Sequence, residues 1–117
     1  LYFYRITDAP APGNGSCFVA ERTATGFTPA QPLENTANFG TPVVTRDQKR
    51  IFGALDGKVH TATRTATDRP FSVPEPVDLG FDAGSTAPTD VSPDGCTLYF
   101  LHDDGAEARP YSATRGR

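Results

Sequence analysis

The chain has 117 residues, 37% of them hydrophobic, and a net charge of −3, which is enough for one domain with a modest core. There is no basic field to hold a phosphate backbone, so nucleic acid is not an expected partner. No apolar run is long enough to cross a bilayer, so no membrane insertion is expected.

Eleven glycines and eleven prolines suit many turns and few long helices. The chain opens in an apolar triplet, Leu1-Tyr2-Phe3, that reads as a strand. A start inside a strand, without Met, leads us to expect that the natural N-terminus lies further upstream. A polar loop, Thr7–Gly15, comes next, then an apolar segment beginning at Phe18 and an outer stretch marked by Phe27 and Pro32-Leu33.

The next stretch predicts four short strands, at about Thr41–Thr45, Arg50–Leu55, Lys58–Thr65 and Phe71–Val77. Each is rich in β-branched or aromatic residues and bounded by Gly, Pro, Asp or Asn. Asp56-Gly57, between the second and third, predicts a type I′ hairpin, which needs positive φ at both central residues. A second polar loop, Gly80–Ser85, leads to the turn Ser92-Pro93-Asp94-Gly95. There Pro93 presets φ, Asp94 can accept a local N–H, and Gly95 tolerates the backbone conformation that ends the turn. The chain closes with Leu98-Tyr99-Phe100, the connection His102-Asp103-Asp104-Gly105 and a strand ending Tyr111–Arg115.

These segments repeat. Leu1-Tyr2-Phe3, Ile51-Phe52-Gly53 and Leu98-Tyr99-Phe100 stand 50 and 47 residues apart. Asp47 precedes the second triplet as Asp94 precedes the third. Ala20-Glu21-Arg22 recurs as Ala62-Thr63-Arg64 and as Ala113-Thr114-Arg115, and Phe27 with Pro32-Leu33 recurs as Phe71 with Pro76-Val77. Such a period, filled by four short antiparallel strands, predicts blades of a β-propeller. The expected fold is all-β: consecutive four-stranded antiparallel blades of an incomplete propeller. Residues 1–34 would supply the last three strands of one blade, 35–80 a complete blade, and 81–117 the first three strands of a third. A closed propeller needs at least four blades. Neighbouring blades of a parent chain, or self-association, are therefore expected to cover the exposed edges.

The run from Ser92-Pro93-Asp94-Gly95 through Leu98-Tyr99-Phe100 resembles the TolB-type, WD-like β-propeller repeat of bacterial envelope proteins. The stretch Phe71–Val77, an aromatic followed by Pro and an apolar residue, resembles the outer strand of that repeat. The middle repeat departs from the pattern. Arg46 and Gln48 replace the Pro and Gly of the turn, and Gly53 replaces the last aromatic, so this repeat is expected to be looser. The resemblance implies an exported, periplasmic or cell-surface scaffold that docks protein or glycan partners, with no particular ligand.

No constellation for catalysis is evident. His60 and His102 have no nucleophile named beside them, and there is no Gly-x-Ser-x-Gly elbow. We therefore expect no catalytic residues, no cofactor and no metal ligands. Asp47, Asp56, Gly57, Ser92, Pro93, Asp94 and Gly95 read as structural turn residues. His102, Asp103 and Asp104 form a weak candidate for binding, poor in oxygen ligands for a cation. The recurring Arg22, Arg64 and Arg115 either line one face as an anion site or pair with carboxylates of neighbouring blades. Both histidines are expected at the surface or across strands. Cys17 and Cys96 fall two blades apart, too far for a disulfide. A bridge from Cys17 to a cysteine two residues before Leu1 is the alternative.

The expected function is a non-catalytic binding scaffold that presents blade loops to a protein or glycan. The alternative is an accessory or gating propeller of a larger hydrolase, a serine peptidase or glycan-active enzyme, whose catalytic residues lie outside this chain.

Overall fold

In a computed structural model, residues 2–6, 15–35, 38–81 and 83–115 are described, and among them there are ten strands and no helix. The strands are β1 (Tyr2–Ile6), β2 (Gly15–Val19), β3 (Gln31–Pro32), β4 (Gly40–Val44), β5 (Arg50–Leu55), β6 (Lys58–Thr63), β7 (Glu75–Pro76), β8 (Ser85–Val91), β9 (Thr97–Asp103) and β10 (Ala108–Thr114). They form three antiparallel sheets, ordered β1-β2-β3, β4-β5-β6-β7 and β10-β9-β8. The all-β, antiparallel expectation holds. Most of the predicted loop at 7–14 lies outside the described residues.

The three central hairpins share one register. Tyr2 pairs with Val19, Phe52 with Thr61 and Tyr99 with Ser112, and these are the positions that the recurring triplets and Ala-x-Arg motifs align. The first strands repeat as well. Val44 pairs with Ile51 as Val91 pairs with Leu98, and each strand carries a one-residue bulge, between Gly40 and Val43 in β4 and between Pro88 and Asp90 in β8. Packing between sheets repeats in turn: β1 and β2 lie against β4 as β5 and β6 lie against β8.

The middle sheet is covered on both faces, which explains its near-continuous apolar run Ile51–Leu55. Side chains alternate along a strand, so Ile51 and Ala62 face the first sheet while Phe52 and Val59 face the last. One core joins Cys17, Phe39, Ile51, Ala62 and Phe71. The other joins Phe52, Val59, Leu98 and Phe100. The hairpin tip is tied to the last sheet by Thr86, whose N–H donates to Gly57 O (2.8 Å) while its hydroxyl accepts from Val59 N–H (3.0 Å).

The place of the aromatic missing from the middle repeat is filled. A Cβ built on Gly53 would lie 2.7 Å from the Phe39 ring, and Phe39 is fully buried. The aromatic missing from β5 is supplied by the residue just before β4. The predicted outer strand Phe71–Val77 forms regular ladder pairs only at Glu75 and Pro76, because Pro74 and Pro76 have no N–H to donate; Ser72 N–H to Thr63 O (2.7 Å) and Val77 N–H to Val59 O (2.9 Å) tie the segment to β6 on either side. Asp56 (φ 54°) and Gly57 (φ 76°) both sit at positive φ, as a type I′ turn requires.

Candidate functional site

The site grows from two turns of the same design. Before β5, the Thr45 hydroxyl donates to Asp47 Oδ1 (2.7 Å), which also accepts from Lys49 N–H (3.0 Å), while Arg50 N–H donates to Thr45 Oγ1 (3.2 Å). Before β9, the Ser92 hydroxyl donates to Asp94 Oδ1 (2.6 Å), which accepts from Cys96 N–H (2.9 Å), while Thr97 N–H donates to Ser92 Oγ (2.9 Å). Asp47 and Asp94 are thus turn carboxylates that satisfy backbone donors. Gln48 (φ 61°) takes the left-handed position that Gly95 (φ 75°) occupies in the other turn.

The hydroxyl of Thr45, the N–H of Lys49 and the Lys49 charge hold the Asp47 carboxyl below its ordinary pKa. The backbone N–H groups of Glu107 and Ala106 do the same for Asp104. A folded-state pKa below the unfolded one gives stability that is present above the unfolded pKa and lost as pH falls through the folded value. Acid unfolding should therefore steepen below about pH 4. Asp47→Asn should flatten that acid limb in urea melts taken at pH 7 and at pH 3, whereas an unchanged pH slope would mean that this turn is not coupled to folding.

Between the two turns lies a cleft of about 490 Å³ lined by Arg46, Lys49, Arg50, Arg64 and Arg115, with Asp47 and Asp94. Five cations face two carboxylates in a chain whose overall charge is negative. Among the described residues the one ion pair is Arg109 with Glu107, and within the cleft the Lys49 charge acts on Asp47. Arg64 is anchored: its Nε donates to Gln48 O (2.8 Å), its Nη2 to the Tyr2 hydroxyl (2.9 Å), and its guanidinium lies 4.2 Å from the Phe71 ring centroid. Arg50 Nη1 donates to Thr61 Oγ1 (3.3 Å).

Of the three recurring arginines, Arg64 and Arg115 share this cleft, and Arg22 does not. Arg22 lines another cleft with Arg64, where Glu21 and Asp68 balance the charge. Arg46, Lys49 and Arg50 were not singled out from the sequence as binding residues, although Thr45–Arg50 holds three cations in six residues.

The remaining candidates are structural. Asp103 Oδ1 accepts from Gly105 N–H (2.8 Å), and Asp104 Oδ1 from Ala106 N–H (2.9 Å) and Glu107 N–H (3.0 Å), closing the hairpin between β9 and β10. Of the two expected placements, His102 takes the cross-strand one, in β9 opposite Thr86 and Arg109, and not the surface one. It is buried, stacked on Phe81 at 3.8 Å between ring centroids, with Nε2 2.9 Å from Ala83 O. His60 keeps a half-exposed place in β6, with Nδ1 3.0 Å from Lys58 O. No group of three or more His, Cys, Asp or Glu able to hold a metal ion occurs among the described residues.

Cys17 and Cys96 are not joined to each other in a disulfide. The expected bridge from Cys17 across the first hairpin does not fit the register. Cys17 pairs with Tyr4 and donates to Phe39 O (2.8 Å), whereas a residue two before Leu1 would stand five residues back along β1, roughly 16 Å away at strand spacing.

Comparison of the chain with protein-family models, curated proteins and solved structures gives no match.

Proposed function

We propose that the chain is a run of consecutive β-propeller blades working as a non-catalytic binding scaffold, and that it docks an acidic partner in the cleft between the β4–β5 and β8–β9 turns. The blade reading is supported by the shared hairpin register, the repeated bulge and turn, and the sheet-to-sheet packing that recurs from the first interface to the second. The resemblance of the Ser92–Gly95 turn to the TolB-type repeat adds an exported, periplasmic or cell-surface setting to the proposal.

One observation carries the docking site: five cations gathered around two carboxylates, Asp47 and Asp94, that are already tied into their own turns. Guanidinium groups suit carboxylates because their paired N–H donors match the two oxygens. Among the described residues no aromatic side chain lines the cleft to offer a sugar ring a stacking surface. A protein partner with an acidic segment therefore fits better than a glycan.

A fluorescein-labelled hexaglutamate peptide tests this by anisotropy. It should bind, should weaken steeply between 50 and 200 mM salt on the order expected for several screened contacts, and should lose roughly tenfold in affinity in the double variant Arg46→Ser, Lys49→Ser, about 1.4 kcal/mol. Binding that is indifferent to both salt and the double substitution would remove the cleft from consideration.

A further inference from the structure

The basic cleft has a neighbour built on the same plan. At the interface of the middle and last sheets, the basic cleft is bordered by Arg64 just past β6, Gly95 in the turn before β9 and Arg115 just past β10. At the interface of the first and middle sheets lies a second cleft, of about 600 Å³, bordered by Arg22, Gln48 in the turn before β5 and Arg64. These are the same three positions one repeat earlier, and Gln48 and Gly95 both hold left-handed backbone. Arg64 borders both clefts, so the two meet there. It is fixed at the meeting point: its Nη2 donates to the Tyr2 hydroxyl (2.9 Å), which donates in turn to Gln48 Oε1 (2.8 Å). The turn before β5 lines the basic cleft and leaves it open. A turn of that design ahead of β1 would leave the second cleft open in the same way.

The two clefts differ in charge. In the basic cleft five cations outnumber two carboxylates that accept bonds within their own turns. In the second cleft Arg22 and Arg64 are matched by Glu21 and Asp68. Both of these carboxylates are exposed, and the one ion pair among the described residues lies elsewhere, between Arg109 and Glu107. An extended segment that passes Arg64 from the basic cleft therefore leaves a surplus of positive charge and meets two carboxylates. Packed sheets stand roughly 10 Å apart, about three residues of extended chain. Within that distance the preferred charge on the segment changes sign.

We propose that the two clefts form one track that selects a partner protein by the order of charge along an extended segment. The segment is acidic over the basic cleft and, about three residues further on, carries lysine or arginine over Glu21 and Asp68. A segment that changes sign gains contacts in the second cleft, whereas one that stays acidic is repelled there, so the second cleft works by rejection as well as by attraction. The proposal rests on the acidic-partner reading of the basic cleft and adds to it the place at which the partner must become basic.

The probes are labelled peptides with blocked ends: hexaglutamate extended by two glycines and two lysines, and hexaglutamate extended by two glycines and two serines. Each extension is made in turn at either end, and the tighter binder of each kind is compared. Lysine makes the peptide less negative, so the basic cleft alone would bind the lysine peptide more weakly than the serine peptide. The track predicts the reverse, a lysine peptide bound about threefold more tightly, on the scale of two exposed charge pairs. In the double variant Glu21→Gln, Asp68→Asn that preference should vanish or invert, while plain hexaglutamate binds at least as well as to the wild type. A lysine peptide bound no more tightly than the serine peptide by the wild type overturns the proposal, as does a preference that survives the double substitution. Hexaglutamate binding without a lysine preference removes the track and leaves the cleft reading standing. Absence of hexaglutamate binding removes both.

Discussion

Phe39→Thr and Gly53→Phe should each be severely destabilising alone, and the double variant should recover at least half of the combined loss. The ring of Phe39 fills the space over Gly53, 2.7 Å from where a Cβ would be. In the last sheet the equivalent pair is Thr86 and Phe100, with Phe100 buried at 2% exposure. The same volume is thus filled from opposite strands in the two sheets. Emptying it by Phe39→Thr should cost about 3–5 kcal/mol, the range for removing a buried phenylalanine. Adding a second ring by Gly53→Phe forces Phe39 or the backbone aside, at about 3 kcal/mol or more, the upper end of overpacking. Each loss is a large part of a typical domain stability of about 5–15 kcal/mol. The double variant copies the last sheet's arrangement, so the two effects should be strongly non-additive, as expected for residues in contact. Urea midpoints of the four proteins read the coupling directly. Simple additivity of the losses would mean that the two sheets do not share one packing plan.

Repetition was legible because the repeating parts are local. The Thr45–Arg50 and Ser92–Thr97 turns close through side-chain bonds spanning two to five residues, so their residue types recur at fixed places in the chain. The Ala-x-Arg motif marked the register because Ala62 and Ala113 sit across from Ile51 and Leu98, where a large side chain on one strand needs a small one opposite. What depends on sheets meeting was not legible. Gly53 read as a lost aromatic, since its substitute stands in the neighbouring strand. Whether His102 lies at the surface or buried across strands was left open by the sequence, since Phe81, which covers it, comes from the connection between sheets. The basic cleft joins a turn before β5 to the ends of β6 and β10. Nothing in the order of Arg46, Arg64 and Arg115 along the chain announces that they share one space.

Gly84→Ala should be the most damaging of the glycine substitutions at positive φ, and comparison with two other glycines separates its causes. Gly84 (φ +81°), Gly80 (φ +84°) and Gly105 (φ +95°) all hold left-handed backbone, so alanine at any of them carries a conformational penalty of about 1–2 kcal/mol. Around Gly80 and Gly105 a Cβ would meet nothing within 4 Å. At Gly84 it would run into the carbonyl oxygen of Asp103 and stand 2.9 Å from His102 Nε2. The carbonyl belongs to β9 and cannot swing away as a flexible side chain could. His102 is pinned between its bond to Ala83 O and the Phe81 ring. Relief would therefore require the connection to lift from the last sheet, adding about 1–3 kcal/mol of overpacking to the backbone term. Gly84→Ala should thus lose about 2–5 kcal/mol in total, against about 1–2 kcal/mol for Gly80→Ala and Gly105→Ala. Thermal and urea melts of the three variants give the difference. Ring-proton NMR shifts of His102 and Phe81 should move in Gly84→Ala alone, because only there does the added methyl press on the stacked pair. Three equal losses would mean that the backbone conformation accounts for the whole effect and that the connection is free to shift. In that case residues 83 and 84 would not be held tightly against β9.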